Sequence, residues 1–337
     1  MRNVEVIVVG GGPAGSAAAT RLKRGGAEVL VLDKESFPRL KLCAGWITPQ
    51  VVSDLQFDPS DYPHSFLSFQ RLVFHIKALP LAVPCLQHSI RRFEFDAWLL
   101  ERSGAEVVRH AVKEIHRDGD GFVVDGLFRC RHLVGAAGTS CPVRRALFNT
   151  TQPRDHALQT VTLELEFRSD WQDPDCHLWF FHKGLPGYSW YVPKALGWLN
   201  VGVGGMAERM KQRGMSIRQH WEHLTKQLQR FGIRPDAPPT GYSYYLRDRA
   251  ETAQAGNAYL TGDSAGLATR DLSEGIGPAI RSGHLAAESI LHGTPYSLDD
   301  VTGASLGGGL ISAWMDWAMT RGRGSRADWQ TGFLHTT

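Results

Sequence analysis

Several common features are scarce in this sequence, and each scarcity excludes a class of protein. Only five of its 337 residues are cysteine (Cys43, Cys85, Cys130, Cys141 and Cys176), and no two form a Cys-x-x-Cys pair. An odd, scattered set argues against a disulfide framework and a zinc knuckle, so no metal is expected and a reducing cytoplasm fits best. Long apolar runs are absent too: Val6–Val9 is too short for a signal-peptide core, and nothing approaches the ~18 residues of a membrane span. Charge of one sign is also scarce, with 37 Lys and Arg against 34 Asp and Glu. The basic residues are dispersed, which speaks against nucleic acid and for a bound anion. Asn149-Thr150-Thr151 matches a glycosylation sequon, which without secretion is a chance match.

What is present begins at the N-terminus. Val4–Val9 reads as a strand, Ala14–Arg24 as a helix rich in small residues, and Glu28–Leu32 as a second strand. Gly10, Gly12 and Gly15 lie between the first two as Gly-x-Gly-x-x-Gly, with Pro13 and Ala14 opening the helix. The first glycine turns the chain, the second lets the backbone approach a pyrophosphate, and the third lets helix pack on sheet. The helix N-terminus then faces phosphate. Asp33, followed by Lys34, ends the second strand where a carboxylate would accept hydrogen bonds from an adenosine ribose. These parts in order predict a dinucleotide and leave NAD and FAD as alternatives.

Further on, Phe93–Arg102 reads as a helix, Leu133–Ala137 and Tyr259–Thr261 as strands, and Gly275–Leu291 as a helix with Pro278 in its first turn. Leu72–Ile76, Val161–Phe167, Leu178–Phe181 and Leu199–Val203 are strand-like, and Ser216–Phe231 has helical spacing. They predict a second domain inserted into the first.

The choice between cofactors comes from resemblance. Thr261-Gly262-Asp263-Ser264-Ala265-Gly266 resembles the second FAD motif of the para-hydroxybenzoate hydroxylase superfamily. Leu133–Gly138 with Ser140, Val143 and Arg144 resembles its Gly-Ala-Asp-Gly segment, and Arg92-x-x-Phe95-Asp96-x-x-Leu99 resembles its cofactor-facing helix. Ala137, beside Gly138, stands where that superfamily carries Asp, which puts direct reduction by NADPH in question; the electron donor stays open between NAD(P)H and another carrier. Three more segments resemble the geranylgeranyl reductase branch: Lys41-x-Cys43-Ala44-Gly45, Pro186–Pro193 with Tyr188 and Trp190, and Asn200–Gly204. The loop from Gly262 to Glu274-Gly275-Ile276, followed by Gly277, matches that branch in length. Two departures are Ala44 for Gly and Arg270 for Pro.

The resemblance implies an α/β fold. A Rossmann-like FAD-binding domain of the glutathione-reductase type (1–62, 88–148 and 250–292) would carry an inserted α+β substrate domain with a mostly antiparallel sheet (63–87 and 149–249), and 293–337 would form a short C-terminal segment. It implies an FAD-dependent oxidoreductase that exchanges hydride between flavin N5 and an organic small molecule. A monooxygenase or hydroxylase, with a halogenase ranking lower, and a degenerate FAD-binding partner protein are the alternatives. Cys43, Tyr188 and Trp190 are the implied catalytic or cavity residues. Lys41, Cys43–Gly45, Arg92, Ala137, Gly138, Gly262, Asp263 and Gly275–Gly277 are the implied cofactor contacts, the last glycines through backbone N–H groups. A C-terminus shorter than usual for the branch argues against a long isoprenoid substrate. Leu310, Trp314 and Trp317, followed by Arg321, Arg323 and Arg326, form an amphipathic pattern suited to a membrane surface or a protein partner.

Overall fold

In the computed structural model, which describes residues 1–76, 79–248, 253–301 and 303–305, the N-terminal run forms strand β1 (Arg2–Val9), helix α1 (Pro13–Arg24) and strand β2 (Val29–Asp33). Val6, Val8, Val29 and Val31 enter a core shared with α1, whereas Ile7, Val9, Leu30 and Leu32 enter a core on the other face. Strands buried on both faces need no polar alternation, which is why these runs are continuously apolar.

The chain continues through β3 (Trp46–Ile47), α2 (Pro49–Leu55), the antiparallel pair β4 (Phe66–Ile76) and β5 (Leu79–Ile90), and α3 (Arg92–Arg102). It then forms β6 (Glu106–Arg109), β7 (Ile115–Asp118), β8 (Gly121–Val124), β9 (Phe128–Gly135) and α4 (Pro142–Leu147). A run of strands follows: β10 (Gln159–Arg168), β11 (Cys176–Phe180), β12 (Gly187–Lys194) and β13 (Trp198–Met206). After α5 (Ala207–Gln212), α6 (Ile217–Leu228) and β14 (Thr240–Tyr245), the chain closes with β15 (Gln254–Ala255), β16 (Ala258–Leu260) and α7 (Ile276–His292).

Two sheets result. The first runs β15-β16-β9-β1-β2-β6, with β8 joining β9 and β7 joining β8. Its central strands β16, β9, β1, β2 and β6 are parallel, the doubly wound pattern. The second runs β14-β10-β13-β12-β11-β4-β5-β3 and is antiparallel except where β11 lies beside β4. On one of its faces Leu224 and Leu228 of α6 pack on Phe167, Tyr191, Leu199 and Val201. Helix α6 starts with a capping box in which the Ser216 and Gln219 side chains satisfy each other's backbone amides.

Two features cut across the expected boundaries. Trp46 and Ile47 pair with Ser89 and His88, so β3 extends the second sheet although it lies within 1–62. Tyr296, Leu298 and Val301 are buried in the first domain's core, so the start of 293–337 completes that domain. Both depend on contacts between segments remote in sequence. Leu310, Trp314, Trp317, Arg321, Arg323 and Arg326 lie outside the described residues. Among the described residues, no helix is long and apolar enough to cross a membrane.

Candidate active site

The glycines of the first loop divide into crowded and open positions. Gly10, at φ +108°, would place a Cβ 2.5 Å from the Ala136 carbonyl oxygen, and one at Gly15 would lie 1.8 Å from the Gly10 carbonyl oxygen. Gly12 differs: the nearest atom to its Cβ position is an Arg39 guanidinium nitrogen at 3.4 Å. Gly10 and Gly15 are therefore required by the fold, while Gly12 faces a space that the fold itself does not need. Pro13 and Ala14 begin α1 behind it. Asp33 accepts hydrogen bonds from the Gly11 and Glu35 amides at 2.7 and 2.9 Å, which ties the loop to the end of β2. Lys34 points to solvent near Glu35.

Helix α7 brings the second motif to the same place. Gly283 sits so close to α1 that a Cβ would be 2.3 Å from the Ala14 carbonyl oxygen, and Gly262, at φ +53°, lies against Ala14 and Ala279. Asp263 Oδ1 comes 3.5 Å from the Cβ position of Gly275, the N-cap residue of α7. Arg154 fastens the loops, donating to the Thr139 and Asp263 carbonyls at 2.7 and 3.0 Å while lying over the Tyr245 ring. Ala137 is exposed beside Gly138. The Gly277 amide donates to Glu274 Oε1 at 2.5 Å, so this N–H is engaged by the chain itself. Ile276 is buried in the core that holds Phe95.

A third group surrounds Cys43. Arg92 clasps Asp96 with two hydrogen bonds, at 2.6 and 2.8 Å, and Arg39 reaches the same carboxylate at 3.3 Å. Burial works against the Arg92 charge, but Asp96 outweighs it and, with Cys43 nearby, holds the guanidinium protonated. The Cys43 thiol accepts from the Gly45 amide at 3.4 Å, and its carbonyl accepts from Asn200 at 3.3 Å. Gly45, at φ +66°, leaves no room for a side chain, because a Cβ would lie 2.2 Å from the Ile90 carbonyl oxygen and 2.3 Å from Lys194 Nζ. Ala44 packs with the Trp190 cluster, and Lys41 lies 3.2 Å from the Tyr242 ring centroid.

The face of the second sheet turned away from α6 lies against the Cys43 loop. Trp190 donates to Asn200 Oδ1 at 2.7 Å, and its indole occupies the space above Gly202, where a Cβ would come within 2.1 Å. Tyr188 packs on Phe180 with ring centroids 4.9 Å apart, and its hydroxyl donates to the Leu272 carbonyl. Burial raises the Tyr188 pKa well above the ordinary phenol range, which makes it a poor acid. The structure thus gathers Cys43, Tyr188 and Trp190 around Asn200 and Leu272. Arg39, Glu164 and Lys194 are not marked by any motif in the sequence, and Asn200 is marked only as the start of a strand. Arg39 precedes Lys41 by two positions and was the one detectable of these; Glu164 looks like the polar side of a strand.

The comparisons with known proteins bear on the family and the fold. Residues 8–58 match the family described as NAD(P)-binding Rossmann-like domain. An uncharacterized protein of Methanosarcina barkeri is 30% identical over 311 residues, covering 86% of this chain and 75% of the other. The menaquinone reductase of Mycobacterium tuberculosis is 28% identical over 330 residues, covering 85% and 76%. A geranylgeranyl bacteriochlorophyll reductase-like protein from Thermoplasma acidophilum superposes with a TM-score of 0.75 at 19% identity, covering 86% and 78%. The chain belongs to the geranylgeranyl reductase-like branch of the para-hydroxybenzoate hydroxylase superfamily. It is an FAD-dependent oxidoreductase acting on a small molecule.

The residues present fit that cofactor. The space in front of Gly12 at the N-terminus of α1 suits a pyrophosphate, with Arg39 as the adjacent cation. Asp33 would take the adenosine side, and Asp263, with Oδ1 3.5 Å from the Gly275 Cβ position, stands where α1 and α7 meet. The buried Thr139 hydroxyl lacks a partner among the described residues and lies on the same rim.

Replacing Cys43 with Ser should leave FAD binding intact, because the Gly45 and Asn200 contacts to residue 43 can persist. Turnover should fall or the product distribution should change, as measured by kinetics and product analysis with an accepted substrate. Unchanged kinetics would reduce Cys43 to a packing residue.

Proposed function

We propose that this enzyme reduces a carbon–carbon double bond in an apolar, prenyl-bearing small molecule, contrary to the expectation drawn from its C-terminus. The observation that carries the reading is the aromatic wall facing the Cys43 loop, in which Phe74, Phe180, Tyr188, Trp190 and Leu272 form one cluster with Ala44 and Trp46 packed beside it. Such a surface holds a hydrocarbon chain by excluding water and offers few groups to bind a polar one. The named substrates of the relatives, menaquinone and geranylgeranyl compounds, have an apolar prenyl chain in common.

Bound FAD supplies the hydride chemistry; the chain supplies geometry. Asn200 couples Trp190 to the Cys43 carbonyl, so the aromatic wall and the Cys43 loop keep a fixed spacing. Tyr188 anchors the same wall to the loop that leads into α7.

The test is anaerobic incubation of the dithionite-reduced holoenzyme with menaquinone and with a geranylgeranyl-bearing phospholipid, followed by mass spectrometry. Gain of hydrogen pairs in the prenyl chain is the expected result. Oxygen-dependent formation of a hydroxylated or halogenated product, with no saturation, would overturn it.

A further inference from the structure

Among the acidic residues of the second sheet, Glu164 is anomalous. It lies on β10, opposite Gly202 of β13 and Thr240 of β14, on the face that carries Trp190 and Asn200. Only 3% of it is exposed, and its Oε2 is buried with no hydrogen-bond partner among the described residues. An orphaned carboxyl oxygen is costly, and its usual explanation is a bound species that satisfies it. The next residue on this face behaves differently: Glu166 is held by Lys194 at 3.1 Å and by Arg91 at 2.9 Å, which accounts for its charge.

The surroundings of Glu164 come from several elements. Lys194 of β12 and Lys41 of the Cys43 loop favour its anion, Asn200 of β13 lies within hydrogen-bonding reach, and Glu166 opposes ionisation. Tyr244 of β14 lies within electrostatic reach of Glu164, Cys43 and Asp263, and Glu164 stands opposite Gly202, over which the Trp190 indole lies. The Tyr188 hydroxyl is committed to Leu272.

We propose that Glu164 is the catalytic acid of this site, its free oxygen touching the bound substrate and delivering the proton that accompanies hydride transfer. The assignment rests on the reading as a double-bond reductase. Bound reduced flavin would supply the hydride for one C–H bond. The Glu164 O–H breaks to form the other, the alkene π pair is consumed, and the resulting carboxylate, near Lys41 and Lys194, regains its proton from water. Burial pushes the Glu164 carboxyl up to about 7, so the proton is held near neutrality and remains transferable. Because this value lies above that of the unfolded chain, the group's contribution to stability is complete below the ordinary carboxylate range and is lost as pH rises through about 7.

The experiment compares wild type with Glu164→Gln, which preserves shape and removes the proton. In the FAD-loaded protein without substrate, infrared difference spectra should show a protonated-carboxyl C=O band that titrates away near neutral pH in wild type and is missing from E164Q. In anaerobic single turnovers with the prenyl substrate, E164Q should slow substrate-dependent flavin reoxidation by about a hundredfold or more, the usual contribution of a positioned acid. It should also lose the fall in rate that wild type shows as pH rises through neutrality, while its flavin spectrum and melting temperature stay within the normal range. A missing wild-type band, or an E164Q rate close to wild type, would overturn the assignment. If wild type itself does not reduce the substrate, the proposed function fails, and the infrared titration alone decides whether Glu164 holds the proton.

Discussion

Replacing Gly12 with Val should abolish FAD retention while leaving the apoprotein folded. The backbone at Gly12 is extended, at φ −75° and ψ −173°, which any residue adopts, and its Cβ position meets one flexible Arg39 nitrogen at 3.4 Å. The side chain would therefore fit the apoprotein and project into the space assigned to the pyrophosphate. A loss of at least about a thousandfold in FAD affinity, about 4 kcal/mol, is expected. Flavin released on denaturation of the purified variant, together with its melting temperature, checks both halves. Gly15→Ala is the contrasting control, since its Cβ would lie 1.8 Å from the Gly10 carbonyl oxygen and force the backbone apart; that variant should lose stability. Full FAD occupancy in Gly12→Val would refute the placement of the cofactor.

The second large effect is expected at Asp96, which is fully buried beneath Arg92 and Arg39. Asp96→Ala would leave the Arg92 guanidinium, itself 8% exposed, without its carboxylate. Removing one partner of a buried pair costs about 3–5 kcal/mol, because the remaining charge has lost both water and counterion. Denaturant unfolding should show this loss, with weaker FAD retention as Arg39 and the Cys43 loop are released. Adding Arg92→Met to Asp96→Ala should recover part of the stability, since it removes the unpaired guanidinium from the buried site. A single variant as stable as wild type would show that the pair contributes nothing net.

Local signals in the sequence settled the elements around the cofactor. Gly10, Gly12, Gly15 and Asp33 lie within one strand-helix-strand unit, so their spacing was visible locally, although the crowding at Gly10 comes from Ala136 on a distant segment. The strands of the first sheet were legible because burial on both faces leaves uninterrupted apolar runs. Helix α7, with Pro278 in its first turn, was legible for a comparable local reason.

The second sheet was harder to read. In Val161–Phe167, Glu164 alternates with apolar residues as it would on a solvated strand, because periodicity reports which residues share a face and not what covers that face. The Cys43 loop and the loop leading into α7, far away in sequence, cover it, so a polar-looking position is almost completely buried. Trp46 and Ile47 joined a sheet whose other strands begin about twenty residues later, and Tyr296, Leu298 and Val301 returned to the first core, again through long-range contacts. The sequence by itself determined the dinucleotide-type strand-helix-strand unit and its glycine loop, since that motif is carried by residues close together in the chain. Only the tertiary structure decided which side chains face one another across the substrate wall, because burial, partner loss and proton affinity arise from segments that the chain brings together when it folds.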